Sequence, residues 1–334
     1  MTRKPVWQNS GKGRFFSQLP VTETLAGPLS LPLHVLTGAK PGLTLGMTAT
    51  IHGDETLPAM IMRRLLGKID PLSLAGRIVV IPVCNPRALA AFGRQTPEQH
   101  GKTDLHEVFP GNPRGNLTQM LANVIARELI EHVDVLVDYH CGGSGGRLQE
   151  RVDIHRGAVG EIRERSLELA RSFGTVMVHD NELGGSAVAY ANKLGKPAFN
   201  VETAGVYLGP DATRYYVEKA VSGFVNLLRS LGMIEGPVAK PPRQLFFTPA
   251  ERMEANPTRG GYLESYYERP SDLGKPVTAG QKLGELIDMR TFEVVEELTS
   301  PVDGCLFFSR FSGAIDAGTK AFAIAALEGS RWLE

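Results

Sequence analysis

From residue 44 to about 235, short β-branched, apolar runs alternate with segments of helical period, and no other feature constrains the fold as tightly. Strands separated by helices read as βαβ units, which build a mainly parallel sheet with helices on its faces. The strand-like runs are TLGMTATI (44–51), GRIVVIPV (76–83), VDVLVDYH (133–140), TVMVHD and PAFNVE. GRIVVIPV is apolar almost throughout, as expected of a strand buried on both faces. Helical patterns cover 57–69, where Pro58 suits a first turn, and 117–133, where Asn116 occupies the N-cap position. Others cover 161–174, closed by Gly174, the stretch around AVAYANKLG, and 212–232.

Outside this series the texture differs. Residues 1–43 read as edge strands feeding the first domain, LSLPLHVLTG most clearly. EGPVAKPPRQ (235–244) is rich in Pro and reads as a linker. Beyond it come short alternating runs broken by Gly and Pro, with no helical period. At 334 residues the chain exceeds one typical domain, so the expectation is a large α/β domain over 1–240 and a smaller all-β domain over 241–334. Hydrophobic residues at 42% and charged residues at 22% allow a sizeable core. Lys+Arg and Asp+Glu are both 36 and form no block, which argues against nucleic acid or an anionic membrane as partner. No apolar signal core follows the basic N-terminus and no run approaches transmembrane length, so a cytoplasmic protein is expected. Its three cysteines are too few and too scattered for a disulfide framework and read as reduced thiols. Homo-oligomerisation stays open.

The chemistry gathers at strand ends. His52 and Glu55 follow the run 44–51, His140 ends 133–140, and Glu202 ends PAFNVE. In an open parallel sheet the carboxyl edge is where ligand sites form. Each residue alone has an ordinary reading: a polar turn, a histidine bonded to backbone, a glutamate opposite a buried cation. Together they favour one site. Two histidines and a carboxylate are a common ligand set for a zinc that keeps a position open for water, and a further carboxylate, Glu202, can take and return a proton. Asp138, in DYHCG, is a candidate acceptor that orients a ligating histidine. CGGSGGR (141–147) fits neither phosphate-loop pattern and reads as a flexible active-site loop. His34, His100, His132, His155 and His179 have no partner spacing that raises them above structural residues.

HGDE (52–55), NPRA (85–88), DLHEVFPG (104–111), DYHCG (138–142) and VET (201–203) occur in an order that resembles the succinylglutamate desuccinylase/aspartoacylase family, a branch of the zinc carboxypeptidase superfamily. The C-terminal SPVDGCLFFSRFSGAIDAGTKAFAIA is similar to the β-domain of bacterial deacylases in that family. SPVDG also resembles a biotinyl or lipoyl carrier turn, but TFEVVEELTSPVDG has no lysine to carry the group; the segment reads as a β-module beside the catalytic mouth. The resemblance implies a zinc carboxypeptidase-like fold, one Zn2+ per chain on His52, Glu55 and His140, and Glu202 as general base and acid. It also implies that Arg94 polarises the scissile carbonyl and holds its developing oxyanion.

One departure bears on substrate. The family usually carries Asp-Leu-Asn-Arg before the FPG element, the Asn-Arg pair gripping a substrate carboxylate, whereas this chain has His106 and Glu107 there. A glutamate cannot replace a guanidinium fork. Glu107 facing the pocket would select an amine or neutral polar group; alternatively Arg87 or Arg114 takes over the carboxylate. The expected activity is zinc-dependent hydrolysis of a linear amide in a small-molecule N-acyl amino acid or related N-acyl amine. Carboxypeptidase-like cleavage of a small peptide, and a non-catalytic binding member, are the alternatives.

Overall fold

The computed structural model describes residues 4–334. The alternation becomes β1 (Gly13–Thr24), β2 (Gly27–Thr37), β3 (Lys40–Ala49), α1 (Leu57–Lys68), β4 (Ala75–Ile81), α2 (Pro86–Ala91), α3 (Leu117–Glu128), β5 (Val135–Cys141) and the short β6 (Gly146–Leu148). There follow β7 (Arg151–His155), α4 (Gly160–Ser172), β8 (Met177–Asn181), α5 (Ala187–Lys193), β9 (Ala198–Thr203), α6 (Pro210–Ser230) and β10 (Gln244–Phe247). The C-terminal segment adds β11 (Arg252–Ala255), β12 (Gly261–Ser265), β13 (Pro276–Val277), β14 (Lys282–Ile287), β15 (Val294–Thr299), β16 (Gly304–Arg310), β17 (Gly313–Ile315), β18 (Phe322–Ala326) and β19 (Arg331–Leu333).

Ten strands form one mixed sheet in the order β1-β2-β4-β3-β5-β9-β7-β8-β10-β19. Its centre, β4-β3-β5-β9, is parallel, and every residue of β5 is buried. Helices cover both faces, which is why these strands read as apolar runs. On one face Ile61 and Leu65 of α1 and Phe224 and Leu228 of α6 share a cluster with Tyr139 and Phe199. On the other, Leu121 and Ile125 of α3 and Val188 and Ala191 of α5 pack with Ile81, Leu136 and Ala198. Asn116 caps α3 by accepting from Gln119 N, with Gln119 returning the bond as a capping box. That helix ends at Glu128 rather than 133, because Leu129 leaves helical backbone and a 3-10 turn over Ile130–His132 follows. The sequence patterns had no place for α2 or β7.

Two smaller sheets make up the C-terminal part, β11-β18-β16-β13 and β15-β14-β12-β17. They enclose Leu263, Leu283, Leu306, Phe322 and Ile324. The expected division at residue 240 is crossed by strand pairing in both directions. β10 lies parallel to β8 and β19 antiparallel to β10, so both ends of the C-terminal segment extend the large sheet. In return β6 pairs with β16. The physical reason is the edge of β8, whose open amides and carbonyls need a partner; the wholly buried QLFF of β10 supplies it. Leu148, Met177, Leu245, Phe247, Phe307 and Phe308 fill the seam.

Candidate active site

β3, β5 and β9 lie side by side and end at the same rim. After Ala49 the chain leaves the sheet through Thr50, a left-handed residue at φ 52°, and Ile51–Glu55 are all buried. Gly53 makes the turn possible. A Cβ there would sit 1.9 Å from the carbonyl carbon of Ala88 in α2, so only glycine lets the turn press onto that helix. Asp54 points away from the cluster and accepts from Ser144 N at 2.9 Å and Ser144 Oγ at 2.8 Å. The loop 141–147 is therefore tethered rather than free, and it continues directly into β6.

His140, one residue from the end of β5, is in register with Glu202 on β9. His52 Nδ1 lies 2.7 Å from Glu55 Oε1, and His140 Nδ1 lies 3.0 Å from Glu55 Oε2. Ligating atoms of these three residues all fall within 4.8 Å of one another. The outer ring nitrogens are held as well. His52 Nε2 is 3.1 Å from Asp104 Oδ1, and His140 Nε2 is 3.1 Å from Asp138 Oδ2. Asp138 in turn accepts from Thr48 Oγ1 at 2.7 Å. Both imidazoles thus turn Nδ1 inward while a carboxylate fixes Nε2, the usual arrangement behind metal-ligating histidines. Burial opposes charge on Glu55, but His52 and His140 hold its carboxyl well below the ordinary range. Burial likewise opposes a proton on His140, yet Asp138 and Glu55 raise it well above a free histidine. A buried carboxylate flanked by two cationic rings is what a metal cation would replace proton for proton. His106, Asp138 and His140 also cluster. Asp138, however, is fully buried behind the rings and does not reach the cavity.

Glu202 Oε1 lies 3.4 Å from Arg151 Nη2, while its Oε2 is buried without a hydrogen-bond partner. Burial pushes this carboxyl up to about 7, against the opposing charges of Arg151 and His140. Arg151 is placed by the antiparallel pairing of β7 with β9, which sets it opposite Glu202. Asp153 grips it at 2.7 and 3.3 Å. Arg94 is half exposed, its Nε donating to Asp104 Oδ2 at 3.1 Å and its Nη1 lying 3.3 Å from His52 Nδ1. His52, Glu55, His140, Glu202 and Arg94 line one cavity of about 400 Å³, which Arg252, Phe308 and Lys320 of the C-terminal part line as well.

Residues 41–230 match the model of the succinylglutamate desuccinylase/aspartoacylase catalytic domain. The chain belongs to this family. Over 323 residues, 93% of this chain and 90% of the relative, it is 27% identical to the N-alpha-acetyl-L-2,4-diaminobutyric acid deacetylase of Halomonas elongata. Its fold is similar to that of the product-bound ectoine utilization protein EutE (DoeB) from Ruegeria pomeroyi (TM-score 0.83, 21% identity, 97% of this chain and 98% of that one). It is also similar to a succinylglutamate desuccinylase/aspartoacylase from Rhodobacter sphaeroides (TM-score 0.81, 22% identity, 97% and 99%).

Within this family member the residues at the Asn-Arg position part company. His106 is half-buried, its ring 4.9 Å from that of His140 and edge-on to it. Burial, with His140 next, drives its pKa down to about 3, so it faces the cavity as a neutral ring. Glu107 is exposed and, like Arg87 on α2 and the exposed Arg114, does not line the cavity. Two cavity groups, Arg151 and Lys320, and the outer partner Asp104 went unassigned in the sequence. Asp104 stood inside DLHEVFPG with a cap-forming residue's signature. Arg151 formed an i,i+2 pair with Asp153. Lys320 offered no local sign at all.

Proposed function

We propose that this chain is a zinc-dependent amidohydrolase that removes the acyl group from a small N-acyl amino acid or related N-acyl amine. One observation carries the reading: two imidazole nitrogens and Glu55 converge beside Glu202, whose carboxyl group lines the same cavity. His52, Glu55 and His140 would hold one zinc ion. Bound zinc supplies Lewis acidity toward a carbonyl and makes water acidic near neutral pH. Asp104 and Asp138 keep the two rings in their ligating tautomer and orientation. Glu202, poised near neutral pH, accepts a proton from water and delivers it to the departing nitrogen. Arg94 reaches over His52 with an exposed guanidinium that can hold the oxygen on which negative charge develops. The Halomonas relative makes N-alpha-acetyl-L-2,4-diaminobutyrate the first substrate to try. A cytoplasmic setting, as expected from the sequence, belongs to the same reading; among the described residues no helix is long and apolar enough to cross a membrane.

Metal analysis and hydrolysis assays on the protein and its His140→Ala variant test it. One zinc per chain, lost together with hydrolysis in the variant, is the expected result. Zinc-loaded protein that cleaves no member of an N-acyl amino acid panel would overturn it.

A further inference from the structure

The cavity's charges do not balance on its C-terminal wall. Arg151 is matched by Asp153 and Glu202, Arg94 by Asp104, and Arg252 by Glu254 at 2.7 Å. Lys320 is the exception. Among the described residues no carboxylate lies within ion-pair distance of its Nζ, which sits 4.4 Å over the ring of Phe308. Burial, aided by Arg252, pulls the ammonium down to about 8 even though Glu254 and Glu202 act the other way. A cation kept in a polar cavity without an anion is destabilised until one arrives. The segment Asp104–Gly111 offers no arginine to the cavity, and its Glu107 faces solvent.

We propose that Lys320, with Arg252 on the same wall, holds the free carboxylate of the N-acyl amino acid, so that the C-terminal β-part selects acids over their amides. The assignment rests on the deacylase reading for the identity of the substrate. It places the carboxylate at the part of the cavity that the C-terminal residues line, with the acyl amide toward His52, Glu55, His140 and Glu202. Phe308 confines the ammonium by closing one side of it.

Calorimetry on the zinc-loaded full chain tests the assignment with L-2,4-diaminobutyrate and its carboxamide, using the unaltered protein, Lys320→Met and Lys320→Arg. Hydrolysis of N-alpha-acetyl-L-2,4-diaminobutyrate is measured in parallel. The expected preference for acid over amide is about tenfold or more, the loss that goes with one charge-assisted hydrogen bond. It collapses toward unity in Lys320→Met and survives largely in Lys320→Arg. Equal preference in the unaltered and Lys320→Met proteins, or none in either, overturns the role of Lys320 even where hydrolysis proceeds. Absent hydrolysis with carboxylate-dependent binding intact overturns the deacylase reading and leaves Lys320 assigned. Neither binding nor hydrolysis overturns both.

Discussion

Asp104 fastens two groups at once, His52 through Oδ1 and Arg94 through Oδ2. Asp104→Asn keeps the shape but loses the charge, so zinc affinity should fall about 10- to 100-fold, the usual effect of altering an outer partner of a ligand; competition with a chelator measures it. In the proposed mechanism Glu202 sets the acidic side of the pH dependence. As a base it must be ionised, so hydrolysis should decline as pH drops below about 7. A bound cation acts in the same sense as Arg151 and draws the acidic limb downward. Arg151→Met removes a charge that favours the carboxylate and leaves the negative charge of Asp153 without its arginine, and both changes push the limb upward in a pH–rate profile. Stability of the metal-free protein follows the opposite trend from that of an acid whose pKa is lowered on folding. With a folded pKa about 7 against 4.5 unfolded, the native state holds the extra proton between those values, so stability falls as pH rises through them. Glu202→Gln should therefore raise the metal-free denaturant midpoint at pH 8 and leave it nearly unchanged at pH 4.

At the scale of elements, the turn 51–56 is the most demanding piece of backbone. Gly53→Ala would drive a methyl into the Ala88 carbonyl, and the turn carrying His52 and Glu55 must lift. Overpacking costs of about 1–3 kcal/mol are typical, so thermal unfolding should shift downward and zinc affinity fall with it. His52, Glu55, His140 and Glu202 were legible because each stands at a strand end, and strand ends can be read from local pattern. Glu107 was not. It neighbours His106 in a 3-10 turn over Leu105–Glu107, where successive side chains point about 120° apart, so one residue enters the cavity and the next faces solvent. Arg151 was missed for a related reason: β7 is short, and its antiparallel entry beside β9 follows from topology, not from RVDIH itself.

At the scale of the molecule, the composition shift near residue 240 was legible, but the crossing of strands was not, since QLFF and RWL give no hint of their partners. Removing residues 241–334 strips β8 of its neighbour and uncovers Leu148 and Met177 in the seam. The truncated chain should aggregate or bind a hydrophobic dye, as size-exclusion chromatography and dye fluorescence would show; a monomeric, zinc-binding fragment would count against mutual dependence of the two parts. The crossing also orders events during synthesis. His52, Glu55, His140 and Glu202 leave the ribosome before Arg252, Phe308 and Lys320, an interval on the order of ten seconds at ordinary elongation rates. β19, the last strand to emerge, closes against β10 only at the end. A growing chain thus completes its ligand set before its substrate wall, and the two can act together only once β10 and β19 have joined the large sheet.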